Sequence, residues 1–175
     1  TSQVGALTAA QVKALSSSTF ASMGTTQVAA LTTGQVAGLS VAVVGAMSSA
    51  QVSALTTSQV QSLTANQIKS LAANKVAAMT TTQVAAFTSD QIKSLSAAQL
   101  QALTTSEVAA MGTAQVKALT DTQIKSLTSD AVAAMTTAQV NALTTAQLKA
   151  LTASQVTALT STNVAALATS QISAL

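Results

Sequence analysis

No cysteine, histidine, proline, tryptophan, tyrosine or arginine occurs in the 175 residues of this chain, and Phe20 and Phe87 are its only aromatics. Without Cys and His there is no disulfide framework and no usual ligand set for zinc, haem or iron–sulfur clusters. Ser-His, Cys-His and imidazole acid–base catalysis are excluded with them, so no cofactor or metal is expected. Charge is scarce as well. Seven lysines against Asp90, Glu107, Asp121 and Asp130 leave a net charge of +3, and with neither arginine nor stacking rings, nucleic-acid binding is not expected. The four carboxylates form no acid–base pair and no calcium loop. The chain is not expected to be an enzyme.

Long hydrophobic runs are missing too, although mean hydropathy is +0.48. The most apolar stretch, Val36 to Met47, contains Ser40 and two glycines, which is too short and too interrupted for a transmembrane helix. The first residues show no basic segment followed by an apolar one, so any export signal is expected to lie outside this sequence.

What is there is a repeat. The pattern Leu-Thr-x-x-Gln-Val-x-Ala recurs every eight residues from Leu7 to Leu175 without an insertion or deletion. Counting Leu as octad position 1, that position is always Leu, Met or Phe. Position 6 is always Val, Ile, Leu or Phe, and position 8 is always Ala, Ser or Gly. These fixed positions are the candidate core, because burial restricts size and polarity more than solvent does. Positions 3, 4 and 7 vary and are mostly small or polar.

Position 2 is Thr or Ser in 17 of 21 octads, and 13 of these carry Gln or Glu at position 5, as in Thr56 with Gln59. That combination is a capping box. The hydroxyl accepts from the N3 backbone N–H, the Gln reaches back to the N-cap N–H, and the flanking Leu and Val form a hydrophobic staple. Each octad is therefore expected to start its own helix of about five or six residues, ending before the next Leu-Thr. One continuous helix is excluded, since an eight-residue repeat would drift about 80° per octad and leave no stripe buried. In a flat strand, positions 1 and 6 would face opposite sides. The expected fold is all-α: a solenoid of very short capped helices spanning 1–175, stacked to bury positions 1, 6 and 8. A parallel β-helix is the alternative.

A second period lies in the exceptions. Position 5 is not Gln at Thr19, Val43, Lys75, Glu107, Ala131 and Asn163, which are spaced 3, 4, 4, 3 and 4 octads apart. Four residues after the first five stand Met23, Met47, Met79, Met111 and Met135, the only methionines. This spacing points to a superhelix of about 3.6 octads, or about 29 residues, per turn, with one side of distinct composition. A 56-residue duplication would also copy exceptions at such intervals, and is compatible with whole turns being kept. With turns stacked at about 8 to 10 Å, the rod would be about 50 to 60 Å long. Neither end carries a polar capping unit, so the segment is expected to belong to a longer array or to pack end to end.

Functional candidates are few. Lys69, Lys93, Lys117, Lys125 and Lys149 recur at position 7 and form a possible contact stripe for an anionic glycan, although a solvated stripe that keeps the rod soluble explains them more simply. Gln at position 5 could form a partner-binding ladder, but capping accounts for it. Regular Thr could match an ice lattice, yet its hydroxyl is already engaged in capping. Octads such as Leu-Thr-Thr-Ala-Gln-Leu-Lys-Ala from Leu143 resemble octapeptide repeats of very large bacterial surface and secreted proteins described as adhesin-like or haemolysin-like. The resemblance covers the whole chain and implies an exported, extended, extracellular or cell-surface segment with no catalytic residue. Calcium-binding Gly-rich nonapeptides are absent from this sequence. Two functions follow as expectations: a shaft of a self-associating filament or adhesin stalk, or a scaffold that binds a surface through lysine or threonine. A far-ultraviolet circular dichroism spectrum is expected to be helical. A β-type spectrum would overturn the solenoid of helices.

Overall fold

A computed structural model describes residues 2–173 and Leu175. It contains one short helix per octad, from α1 (Ser2–Gly5) to α22 (Thr169–Ile172), each four to six residues long, and no strand among the described residues. The β-helix alternative is thereby corrected. Main-chain hydrogen bonds close within each octad, as in Val60 N–H to the Thr56 carbonyl at 2.9 Å, leaving no ladder for a neighbouring rung to join.

The local chemistry follows the octad. In α8 (Thr57–Ser62), the Thr56 hydroxyl accepts from the Gln59 N–H at 3.2 Å and the Gln59 side chain accepts from the Thr56 N–H at 2.7 Å. The helix ends when Leu63 donates to the Val60 carbonyl at 3.1 Å, a tighter last turn. Leu63 (φ −64°, ψ 134°) and Thr64 (φ −71°, ψ 158°) are both extended, and these two residues swing the chain into α9 (Ala65–Ser70). No described residue has a positive φ. The corner therefore lies in backbone territory open to ordinary residues, and the repeat turns every eight residues without a glycine or proline to force it.

Helices three octads apart pack on one another. Thus α6 (Val41–Ala46) lies against α9, α9 against α12 (Ser89–Ser94), α12 against α15 (Thr113–Ala118), and α15 against α18 (Thr137–Ala142). This wraps the chain into a superhelix of between three and four octads per turn, as the spacing of the exceptions requires. Position 6 is 0 or 1 % exposed from Val12 to Leu148, and position 1 is at most 5 % exposed from Leu31 to Leu143. Position 8 departs from expectation, being mostly half-buried. The third buried position is instead position 5, from Gln35 onward except at the half-buried Lys75. At Gly45 a Cβ would stand 3.2 Å from the Ser70 carbonyl of the next turn, so the unusual Val-Val-Gly octad is closely packed there. Met47, at the start of the next octad, is fully buried.

Ala72 and Ala168 show what a helix start lacks without a hydroxyl: neither makes a side-chain cap bond. Replacing Thr120, which caps α16 (Asp121–Ser126), with Ala is expected to lower stability by about 1 kcal/mol. The check is the urea midpoint at unchanged m-value.

Candidate functional site: a glutamine ladder between turns

The side chains that carry the most hydrogen bonds are the position 5 glutamines. Gln91 is representative. Its Oε1 accepts from the Thr88 N–H at 2.9 Å within its own helix start. Its Nε2 then donates across the turn, to the carbonyls of Val60 at 2.7 Å, Gln61 at 3.3 Å and Leu63 at 2.6 Å. Those acceptors lie 31, 30 and 28 residues earlier, at the corner between two helices of the previous turn. The same arrangement recurs at Gln59 on Val28 and Leu31, at Gln99 on Ile68 and Leu71, and at Gln155 on Ile124 and Leu127. Every position 5 glutamine from Gln35 to Gln171 makes such an inter-turn bond. The bonded span of 28 to 31 residues brackets the 29 residues per turn read from the exceptions.

A primary carboxamide has the acceptor and the donors that these two tasks need. The exceptions separate the tasks. Glu107, 3 % exposed, keeps the cap, with Oε2 accepting from the Thr104 N–H at 2.6 Å and hydroxyl at 2.9 Å. It makes no bond to the previous turn, since its carboxyl group lacks the N–H that the amide donates there. Lys75 does the reverse: its Nζ donates to the Gly45 carbonyl, and Ala72 goes uncapped. Asn163 reaches the Met135 carbonyl at 3.1 Å but is too short to accept from its own N-cap N–H. Val43 and Ala131 do neither. Elsewhere the amide works even without a capping hydroxyl, as at Gly112, whose N–H donates to Gln115 Oε1 at 2.6 Å.

Capping, the role expected from the sequence, is thus half of what the glutamine does. The other half had a signal. A capping box accepts Glu as readily as Gln, yet position 5 holds Gln repeatedly and Glu once. That bias marks a required N–H donor.

The lysine stripe is placed as follows. Lys69, Lys93 and Lys117 lie in the last turns of α9, α12 and α15, which pack in succession, so the fold brings these three into one line. Lys125 of α16 and Lys149 of α19 (Thr145–Ala150) form a second, shorter line. All five are exposed, and each sits at a helix C-terminus where a cation is favoured. Among the described residues the only ion pair is Lys93 with Asp90 at 4.0 Å, on the surface and therefore weak. An open groove at Lys117 is floored by Ala142 and Leu143 of the next turn. Among the described residues no buried side-chain nitrogen or oxygen lacks a partner, and no helix is long and apolar enough to cross a membrane.

The octad and its ladder define a repeat protein of the short-helix solenoid class. The ALTTAQ repeat family matches at residues 4–41, 34–65, 66–97, 94–129 and 108–145, and the chain belongs to that family. No curated protein and no solved structure matches it.

The ladder gives a paired expectation. Glu107→Gln restores an N–H donor facing the Val76 and Met79 carbonyls and should raise stability by about 1 to 2 kcal/mol, while Gln99→Glu should lower it by a similar amount. Both keep the capping box. Equal, near-zero shifts in the denaturation midpoint would mean that the inter-turn bonds contribute nothing.

Proposed function

We propose that this chain is a structural rod: the shaft of an extracellular bacterial filament or the stalk of an adhesin, self-associating, and acting by its length and stiffness and not by catalysis. The observation that supports it is the continuity of the inter-turn ladder. Each turn is tied to the one before by glutamine amides that are themselves buried, so turns can be added without changing the cross-section or exposing new polar groups. A chain low in charge, free of cysteine and poor in lysine or arginine cleavage sites suits exposure outside the cell. The octapeptide resemblance noted above points the same way.

The line formed by Lys69, Lys93 and Lys117 favours a second reading, a scaffold that holds an anionic polysaccharide on that face. Replacing Lys69, Lys93, Lys117, Lys125 and Lys149 with Gln discriminates the two. A shaft keeps its form and its attachment, whereas a scaffold keeps its form and loses retention on an anionic glycan surface. For the shaft itself, electron cryo-microscopy of cell-attached material is expected to show rods with an axial repeat of about 8 to 10 Å. Their absence from the cell surface would overturn the filament role.

A further inference from the structure

The ladder is not equally strong around the coil. Val43, Lys75, Glu107, Ala131 and Asn163 follow one another at steps of 4, 4, 3 and 4 octads, which keeps them on one side of a superhelix that turns once in three to four. On that side position 5 gives little to the previous turn: Lys75 and Asn163 each reach one carbonyl, and Val43, Glu107 and Ala131 reach none. Two octads beyond Val43, Lys75, Glu107 and Ala131, and so about half a turn away, stand Gln59, Gln91, Gln123 and Gln147. Each of these donates to three carbonyls of the previous turn.

Local structure and core divide the same way. Val43, Lys75, Ala131 and Asn163 leave their own N-cap N–H without a side-chain acceptor, so these helix starts have at most half a capping box. The N–H of the next residue closes the first helical turn at 3.1, 3.2, 3.0 and 3.1 Å for Val44, Val76, Val108 and Val132, against 2.9, 3.0, 2.9 and 2.9 Å for Val60, Ile92, Ile124 and Leu148. All eight residues are 0 or 1 % exposed. At position 1 the poorly bonded side has Met47, Met79, Met111 and Met135, where the other has Leu63, Leu95, Leu127 and Leu151. Methionine is unbranched and keeps its contacts through small rearrangements. Separating turns on the glutamine side breaks three bonds in each turn and leaves a buried amide unpaired, which is costly. Separating them on the other side breaks one bond or none. We propose that this side is a built-in seam: successive turns part there first, pivoting about the glutamine side, and the superhelix has one easy direction of bending. The seam belongs to the fold and does not depend on the shaft reading.

Residue-resolved hydrogen exchange on the whole chain tests this. The eight amides just compared are equally buried and each is bonded within its own octad, so a difference in their protection factors reports local opening. Val44, Val76, Val108 and Val132 should be about tenfold or more less protected than Val60, Ile92, Ile124 and Leu148. Val108 separates the two causes, because Glu107 keeps its capping box and lacks only the bond between turns. Glu107→Gln, which restores a donor at nearly unchanged shape, should raise protection at Val76 and Val108 to the level of the glutamine side and leave Val44 and Val132 as they were. Gln123→Glu keeps its cap and should lower protection at Ile92 and Ile124 to the seam level, with Val60 unchanged. Equal protection on the two sides of the wild type overturns the seam. So does a Glu107→Gln variant that protects every amide alike, which is global stabilisation and not the closing of a gap, or a Gln123→Glu variant whose Ile92 and Ile124 stay protected.

Discussion

One carboxamide holds two kinds of structure together. Within the octad its oxygen fixes where a helix begins; between turns its nitrogen fixes how far the chain must travel before it meets itself. A helix of five residues is unstable alone, because nucleation is not repaid by so few hydrogen bonds. The cap and the inter-turn bond are therefore interdependent. The cap orients the glutamine, and the bond to the previous turn buries it, with Gln67 1 % exposed and Gln59 2 % exposed. A buried polar group is tolerated only when it is fully paired, and here the corner carbonyls supply the pairing.

The superhelix repeats the logic of an α-helix one level up. Octads stand where residues would, neighbours three units apart pack, and hydrogen bonds point back along the chain to a site about three and a half units earlier. The difference lies in the donor. In an α-helix the backbone N–H serves, so any residue but proline suffices; here a side chain serves, so identity matters at one position in eight. The six departures at that position fall on one side of the coil, which gives an otherwise uniform rod a distinguishable edge.

Much of this was legible in the sequence. Fixed Leu and Val gave the core, Thr with Gln gave the helix starts, and the spacing of Thr19, Val43, Lys75, Glu107, Ala131 and Asn163 gave the turn length. The burial of Gln was not foreseen, because polarity usually marks a surface and capping already explained the residue. Position 8 was overestimated for the converse reason. Its small size permits the chain to pass close to its neighbours, but Gly38 has open space around its missing side chain, so smallness there does not signal a contact. The lysines illustrate what pattern alone withholds. Only the packing of α9, α12 and α15 separates one line of three from a second line of two.

The fixed span of the ladder bears on how genes for such chains can change length. Loss or gain of a single codon changes the span for every amide whose carbonyls lie across it, up to 31 residues further on, and throws that whole turn out of phase with the one before, so small indels are disruptive wherever they fall. An octad can be added or lost with the core pattern intact, yet it rotates the distinct edge by a quarter turn or so. Seven octads, 3 plus 4, or eleven, the sum of 3, 4 and 4, are close to whole turns and bring the edge back nearly to where it was. The two Met-Gly pairs, Met23-Gly24 and Met111-Gly112, stand eleven octads apart. Length in this architecture is quantised by geometry, with eight residues as the smallest unit and near-whole turns of seven or eleven octads as the steps that barely move the edge.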